Sequence, residues 1–393
     1  MPYQSALQFA ATPPLSLYIH LPWCVRKCPY CDFNSHSLRA ALPEQEYVDA
    51  LLRDLEQEAE RAGGRSIESI FIGGGTPSLF SPPAIDRLLS AVRKQLNLRP
   101  DAEITLEANP GTVEQDRFAG FRAAGINRLS IGIQSFDDAR LQSLGRIHGR
   151  DEALRAVDAA RRAGFDNFNL DLMYGLPQQD LDGALADLEQ AIALAPNHIS
   201  HYQLTLEPNT LFHAQPPTLP DDDDCYAMQQ ACQTRLAEAG YRHYEVSAYA
   251  QPGRESRHNL NYWTFGDYLA LGAGAHGKIT DVASGTIQRY AKRKHPRDYQ
   301  LHAGRPSVVD QESSIGPADL ILEFMMNALR LRDGFGIALC EARTGLSWER
   351  FQPLAQQATA RGWLEVRDGY VQPTPTGRLY LNELLELFVP ETA

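Results

Sequence analysis

Three cysteines near the start of the chain have the spacing of a metal-binding loop. Cys24, Cys28 and Cys31 lie within eight residues, directly after a short apolar run. An iron–sulfur cube has four irons and is usually held by four cysteines, so three thiolates would leave one iron open to a substrate. The spacing alone also allows a buried thiol cluster, or a zinc site with His20 or His36 as its fourth ligand.

Polar and glycine-rich segments follow several later apolar runs of the chain. A single segment of this kind is more often a helix cap or a tight turn than part of a binding site. Buried polar groups cost free energy unless they are paired, so a series of them at strand ends indicates a polar ligand. The segments are residues 73–77 (GGGTP), Glu107 with Asn109, residues 134–136, Arg146, Asp171 with the turn at 173–177, and Tyr202 with Gln203 and Thr205.

Six short apolar segments have the pattern of buried strands, and helical segments alternate with them. The predicted strands cover residues 15–21, 69–72, 103–106, 128–133, 167–172 and 198–204. The predicted helices cover residues 44–62, 82–95, 113–124, 151–163 and 181–194. Strand and helix alternate at about 30 residues per unit, which is typical of right-handed βαβ crossovers in a parallel sheet. Six units are too few to close an eight-stranded barrel, so we expect an α/β fold with a partial (β/α)6 barrel and chemistry at the carboxyl ends of its strands.

The rest of the chain predicts two smaller parts beyond the barrel. We expect an N-terminal tail at 1–14, the barrel at 15–215, an extension of the barrel at 216–310 and a C-terminal domain at 311–393. The C-terminal domain should be smaller and mainly helical, with helices at 318–331, 348–361 and 378–388 and a short β-hairpin that turns at Asp368-Gly369. Cys225, Cys232 and Cys340 are expected to be small core residues.

Composition argues against several functional classes. The chain has 393 residues and a formal net charge of −12, which disfavours nucleic-acid binding because such binding requires basic surface. No apolar run reaches the roughly 18 residues of a membrane span, and the N-terminus lacks the features of a secretory signal. We therefore expect a cytoplasmic protein without stable membrane insertion. Six cysteines in so long a chain are not a disulfide framework.

The cysteine loop resembles that of the radical SAM superfamily. The shared features are the CxxxCxxC spacing, the aromatic Tyr30 before the last cysteine, and the position of the loop after the first strand of a βα repeat. The resemblance extends from residue 15 to near residue 210. It implies that Cys24, Cys28 and Cys31 hold a [4Fe–4S] cluster whose open iron is chelated by the amino and carboxylate groups of S-adenosylmethionine (SAM). In that superfamily an electron from the cluster cleaves the sulfonium of SAM to give a 5′-deoxyadenosyl radical.

The strand-end segments resemble those of the anaerobic coproporphyrinogen oxidase branch of this superfamily. The GGGTP segment is similar to the element that meets the methionyl amino group of SAM in that family. The resemblance implies one or two bound SAM molecules. The residues that it assigns to SAM are Tyr18, Tyr30, Gly74, Gly75, Thr76, Glu107, Gln134, Arg146 and Asp171.

Two features separate the chain from the porphyrinogen-decarboxylating members of that branch. Those enzymes carry a fourth cysteine where this chain has Phe33, and they have an N-terminal extension where this chain has 14 residues. Residues 258–263 read HNLNYW, and this HNxxYW segment resembles the heme chaperone group called HemW, with similarity over nearly the whole chain. The resemblance implies heme binding and transfer to acceptor proteins. The residues expected at the heme are His258, Asn259, Tyr262 and Trp263, because histidine is a good axial ligand and aromatic rings offer flat apolar faces.

The sequence leaves two other functions open. One is an oxygen-independent coproporphyrinogen III oxidase, and the other is a radical SAM methyltransferase or related enzyme with another substrate. A cluster would also need a reductant, and a homodimer is possible. A basic run could pair with heme propionates or could instead form a solvated strand or loop. The residues of that run are Arg289, Lys292, Arg293, Lys294 and Arg297.

Overall fold

The computed structural model describes residues 7–390, without the side chains of 112–115. Its first part is a βα repeat whose cysteine loop lies between the first strand and the first helix. The elements of this part are β1 (Leu15–Leu21), β2 (Trp23–Cys24), β3 (His36–Ser37), α1 (Glu44–Ala62), β4 (Ser66–Gly74), α2 (Pro82–Gln95), β5 (Asn97–Ala108), α3 (Thr112–Ala124), β6 (Arg128–Gln134), α4 (Asp138–Ser143), α5 (Arg150–Arg162), β7 (Phe168–Tyr174), α6 (Leu181–Ala193), β8 (His198–Gln203) and α7 (Leu211–Ala214).

Six parallel strands in the order β1-β4-β5-β6-β7-β8 form the predicted partial barrel. This confirms the α/β fold class. Local signals explain why several predicted boundaries agree with the structure. Helix α1 ends where Gly63 adopts a left-handed conformation with φ of 57°, and α2 begins where the Ser81 side chain accepts a hydrogen bond from the Ala84 amide.

The barrel sheet continues through an extension that the sequence did not predict as strands. Its elements are α8 (Asp222–Glu238), β9 (Arg242–Glu245), β10 (Ala248–Ala250), α9 (Arg257–Trp263), β11 (Asp267–Leu271), β12 (His276–Asp281), β13 (Thr286–Lys292), α10 (Pro296–His302) and β14 (Val309–Ser314). Strand β11 pairs in parallel with β1, antiparallel strands β12 to β14 follow it, and β10 and β9 extend the other edge beyond β8. The result is a twelve-stranded sheet within the described residues.

The interpretation of the basic run as a solvated surface is wrong for Lys292. This side chain is fully buried in β13, with its Nζ 2.6 Å from Asp54 Oδ1 and 2.8 Å from Glu58 Oε1. Both carboxylates lie on α1, so the lysine is a buried cross-link rather than a partner for heme propionates. Lys294 and Arg297 are exposed. Arg289 and Arg293 are already engaged by Glu323 and Asp298, at 2.6 and 2.9 Å.

The C-terminal domain is mainly helical and contains a small antiparallel sheet, as predicted. Its elements are α11 (Pro317–Ala328), β15 (Phe335–Gly336), α12 (Ile337–Thr344), α13 (Gln352–Ala360), β16 (Leu364–Arg367), β17 (Tyr370–Pro373), α14 (Pro375–Leu379) and α15 (Leu381–Glu386). The β16–β17 hairpin turns at Asp368 and Gly369, which have positive φ angles of 51° and 78°. The single helix predicted at 378–388 is wrong. The Thr374 hydroxyl caps an earlier helix at the Gly377 amide, and Tyr380 interrupts the helical backbone.

Two apolar cores join these parts. The larger core lies between the barrel sheet and its surrounding helices. The smaller core is centred on Phe324, Phe335 and Phe351 of the C-terminal domain and includes Phe265 and Ile287 of the extension. The C-terminal domain is therefore packed on the extension rather than tethered to it. Within residues 7–390, the helices are too short or too polar to cross a bilayer.

Candidate functional site

A cavity of about 430 Å³ opens at the carboxyl ends of the barrel strands. It is lined by Cys24, Cys28 and Cys31 together with eight of the nine residues that the sequence assigned to SAM. Those eight are Tyr30, Gly74, Gly75, Thr76, Glu107, Gln134, Arg146 and Asp171. Tyr18 lies deeper in the barrel, where its hydroxyl bonds to His20 Nδ1 at 2.8 Å and its ring stacks on Phe71. The structure thus brings together residues that are up to 147 positions apart in the sequence, from Cys24 to Asp171.

Polar side chains near the cysteine loop can stabilise negative charge on its sulfur atoms. The Thr76 hydroxyl donates to Cys24 Sγ at 3.5 Å, and the Arg146 guanidinium lies 3.7 Å from Cys28 Sγ. The Cys31 sulfur is 3.9 Å from the Ser35 hydroxyl. Thiolates are the form that binds iron, and donors of this kind favour the thiolate over the thiol. Without a bound metal, burial raises the pKa of both Cys24 and Cys31.

The geometry does not fit a single metal ion. In the described part of the chain, no three His, Cys, Asp or Glu side chains are close enough to share one ion. His20 cannot complete a zinc site, because its ring is held between the Tyr18 hydroxyl and the Asn34 carbonyl at 2.8 and 2.9 Å. The thiols instead border one cavity, as a cube of several irons requires. The donor set therefore fits an iron–sulfur cluster better than zinc.

The glycines after β4 allow the backbone to approach the cysteine loop closely. Gly74 has a φ of 118°, and an added Cβ would lie 2.6 Å from the His20 ring. An added Cβ at Gly75 would lie 2.6 Å from the Trp23 carbonyl oxygen. The Gly75 and Thr76 amides donate to the carbonyls of Leu21 and Trp23, at 2.9 and 2.7 Å. Only glycine fits at these two positions, so the GGGTP segment is a close-packed wall of the cavity.

Two carboxylates that line the cavity, Glu107 and Asp171, make it attractive to a cation. Burial, and then the nearby Asp171, raise the pKa of Glu107 to about 8. Burial also raises the pKa of Asp171, although Asn169 and Ser130 donate to its carboxylate at 2.7 and 3.0 Å. A positively charged group between the two would relieve this repulsion. The amino and sulfonium groups of SAM have that charge.

Arg146 supplies the opposite charge next to the cysteine loop. Its Nη2 donates to Asn109 Oδ1 and to the Gly132 carbonyl, each at 2.7 Å. Its buried Nε has no hydrogen-bond partner among the described residues. An anionic ligand group, such as a carboxylate, would satisfy this guanidinium. Asn109 also donates to the Thr76 hydroxyl at 2.9 Å, so it joins two walls of the cavity.

Sequence reasoning missed one residue that shapes this site. Asp187 lies on α6, and its carboxylate accepts hydrogen bonds from the Ser135 hydroxyl at 2.7 Å and the Phe136 amide at 2.6 Å. These bonds hold the turn in which Gln134 has a positive φ of 71°. The Gln134 side chain then accepts from the Tyr202 hydroxyl at 2.7 Å. An acidic residue within an amphipathic helix gives no sequence signal of such a role, because it is usually exposed.

The HNxxYW segment lies away from this cavity, towards the amino ends of the strands. His258 is buried on α9, with Nδ1 3.0 Å from Glu103 Oε1 and its ring stacked on Phe71 at 4.2 Å. The ring is closed to a heme in this conformation, because protein atoms surround it. Tyr262 packs against Tyr268, and Trp263 lies beneath the Arg330 guanidinium. The structure does not bring the HNxxYW residues together with the cysteines, and heme contacts by His258, Asn259, Tyr262 and Trp263 stay a prediction.

Comparisons with known proteins agree with the fold. Residues 18–191 match the radical SAM superfamily, and residues 315–380 match the HemN C-terminal domain. The solved structure of coproporphyrinogen III oxidase (HemN) from Escherichia coli is similar with a TM-score of 0.81, covering 96% of this chain and 90% of that chain. Its sequence identity of 24% shows the fold alone.

Relatives with higher sequence identity show which family within the superfamily the chain belongs to. The protein named heme chaperone HemW from Escherichia coli K12 is 52% identical, over 96% of this chain and 99% of that protein. The HemW protein of Haemophilus influenzae is 51% identical with the same coverage. A mouse protein named radical S-adenosyl methionine domain-containing protein 1, mitochondrial, is 38% identical over 88% of this chain and 77% of its own length. The chain therefore belongs to the HemW family of the radical SAM superfamily.

Proposed function

We propose that this chain binds heme and transfers it to acceptor proteins, and that it carries a SAM-binding [4Fe–4S] cluster. The observation that carries the proposal is the 52% identity, over nearly the full length of both chains, to a protein named heme chaperone HemW. Phe33 supports it, because this residue stands where the decarboxylating enzymes carry a fourth cysteine. The Phe33 side chain is 59% exposed beside the cysteine loop.

The residues of the barrel cavity fit the cluster and SAM. When bound, a reduced cluster supplies an electron to the sulfonium of SAM. Cys24, Cys28 and Cys31 would hold three irons. Glu107 and Asp171 offer negative charge to the amino and sulfonium groups, and the Arg146 guanidinium offers positive charge to a carboxylate.

Close packing and a hydrogen bond fix two walls of the cavity. Gly74 and Gly75 let the backbone after β4 pack against His20 and Trp23, which fixes one wall of the cavity, and the Tyr202–Gln134 hydrogen bond fixes another. We propose that one or two SAM molecules bind. We further propose that the chain works in the cytoplasm with an external reductant for the cluster, and that it can form a homodimer.

A second candidate function is oxygen-independent coproporphyrinogen III oxidation. The observation in its favour is the fold shared with HemN, with a TM-score of 0.81. Phe33, which stands where the decarboxylating enzymes carry a fourth cysteine, argues against it.

Anaerobic titration with hemin tests the proposal. Hemin added to the cluster-loaded chain should give a saturable shift of the Soret band, and heme should then appear in an added apo heme protein faster than free hemin is taken up. Absence of hemin binding would contradict the proposal. Conversion of coproporphyrinogen III to protoporphyrinogen by the same preparation would favour the oxidase instead.

A further inference from the structure

A second cavity, of about 450 Å³, lies at the β9 edge of the sheet. Helix α8 and strand β9 form one wall, and the C-terminal domain forms the other through the segment after α11 and through α14. Its volume lies within the range of small-molecule sites, about 300–1,000 Å³. Among the described residues it shares no lining residue with the barrel cavity. We call it the arginine cleft, after the lining residues Arg330, Arg332 and Arg378.

The arginine cleft holds more positive than negative charge. Glu245 is its one acidic lining residue in the described chain, and this carboxylate is already engaged by Arg330 at 3.3 Å. Nearby Asp333 is engaged by Arg242 on the outer surface. Three guanidinium groups thus face one carboxylate in a protein whose overall net charge is −12.

Two of the guanidinium groups lack a carboxylate partner within the described part of the chain. Arg332 donates to the ring of His243 at 2.5 Å, and Arg378 donates to the Pro373 carbonyl at 2.7 Å. Burial, and then the charge of Arg332, lower the pKa of Arg378. Burial lowers the pKa of His243 to about 4, so this ring is neutral and adds no charge at pH 7. An anion bound between Arg332 and Arg378 would relieve their repulsion.

The cleft also exposes large apolar side chains. Tyr226, Val246 and Leu379 line it and are 47%, 42% and 51% exposed. Apolar side chains that cluster on a rim beside charged groups mark interaction sites more often than isolated ones do. The ligand that complements such a surface has an apolar body and carboxylate groups.

Contacts behind the cleft connect it to the HNxxYW helix. The Arg330 guanidinium lies 4.3 Å above the ring of Trp263, the last residue of that segment. The buried Trp263 Nε1 has no hydrogen-bond partner among the described residues. The aromatic end of α9 thus supports one of the three arginines, although His258 itself is enclosed.

We propose that the arginine cleft is the heme-binding site, with Arg332 and Arg378 pairing with the propionates and Tyr226, Val246 and Leu379 contacting the macrocycle. The inference rests on the proposed heme function and names its site. The barrel cavity is lined by groups that fit the cluster and SAM, and the His258 ring is closed. The arginine cleft offers the charge and the apolar surface that heme requires.

Hemin titrations of paired variants test this assignment in the cluster-loaded chain. The double variant Arg332→Gln/Arg378→Gln should bind hemin about 100-fold more weakly, because each lost pairing with a carboxylate costs on the order of tenfold. The control is Arg367→Gln, which removes an arginine that is 78% exposed on β16, outside the cleft. The double lysine variant, Arg332→Lys/Arg378→Lys, should recover most of the affinity, which separates lost charge from lost folding.

Hemin dimethyl ester provides a second readout, because its propionates are esterified. It should bind the unmodified chain weakly, and it should bind the double glutamine variant with the same low affinity. Equal hemin affinity in the unmodified chain and the folded double glutamine variant would overturn the assignment while leaving the heme function standing. Absence of hemin binding by the unmodified chain would overturn both.

Discussion

Two acidic side chains at the barrel mouth, Glu107 and Asp171, are buried near each other, and burial raises the pKa of both. Glu107 and Asp171 are close enough for their charges to repel, and no arginine or lysine forms an ion pair with either within the described chain. The pKa of Glu107, raised to about 8 by burial and by Asp171, leaves this side chain neutral at pH 7 before SAM binds. Its unfolded value is 4.5, so its contribution to stability should fall as the pH rises from 4.5 to about 8.

SAM affinity should therefore depend on pH through Glu107. A cation favours the ionised carboxylate, so affinity should increase as the pH rises towards 8, by at most about tenfold per pH unit. Glu107→Gln should remove this dependence and weaken binding about tenfold. Isothermal titration of the cluster-loaded chain between pH 6.5 and 9, with Glu365→Gln as an exposed control, measures both effects. A Glu107→Gln variant that keeps the unmodified pH profile would exclude this role.

The residues of the cavity could be predicted from the sequence to different degrees. The cysteines and the strand-end polar residues carry a local signal, because they follow apolar runs at regular intervals. Asp187 carries none, since its function depends on a contact with a turn 51 positions earlier in the chain. His258 shows the opposite case. The HNxxYW segment is recognisable in the sequence, but the sequence does not show that this histidine is buried.

At the scale of elements, a buried lysine fixes the extension to the barrel. Lys292 of β13 bonds to Asp54 and Glu58 of α1, and the Tyr290 and Tyr299 hydroxyls donate to the same two carboxylates at 2.5 and 2.8 Å. Removing one partner of a buried ion pair leaves the charge of the other partner buried and unpaired. This network therefore holds together two elements that are more than 230 residues apart.

Lys292→Met should lower the free energy of unfolding by about 3–5 kcal/mol, because it leaves Asp54 and Glu58 buried without their cation. Lys294→Met is the matched control, since it removes an exposed lysine two residues away, and it should change stability by no more than about 0.5 kcal/mol. Urea unfolding followed by circular dichroism compares the two. Equal stability of both variants would show that the network does not support the fold.

The barrel elements were predictable, and those of the extension were not. The six barrel strands are largely buried, and the apolar residues that pack against the helices make them visible in the sequence. Strand β14 is almost wholly exposed, and β9 and β10 have only four and three residues, so none of these shows apolar alternation. Their positions depend on pairing with neighbouring strands, which the sequence pattern of each strand does not show.

At the scale of the whole molecule, the chain has one cavity at the carboxyl ends of the barrel strands and another at the β9 edge of the same sheet. The barrel cavity collects the cysteines and the carboxylates, and the arginine cleft collects unpaired positive charge beside exposed apolar side chains. The α/β class and the helical C-terminal domain were predicted from the sequence. The arginine cleft was not, because α8, β9 and α14 meet there only after the C-terminal domain has packed on the extension.

Electron paramagnetic resonance of the reduced, reconstituted chain tests the central claim, which is a three-cysteine cluster with one iron open to SAM. We predict the spectrum of a single reduced [4Fe–4S] cluster, with g values that shift when SAM is added. Cys24→Ala, Cys28→Ala and Cys31→Ala should each lose the cluster, whereas Cys340→Ala, in the C-terminal core, should keep it. A spectrum that SAM leaves unchanged, or a cluster that assembles without these three cysteines, would contradict the account.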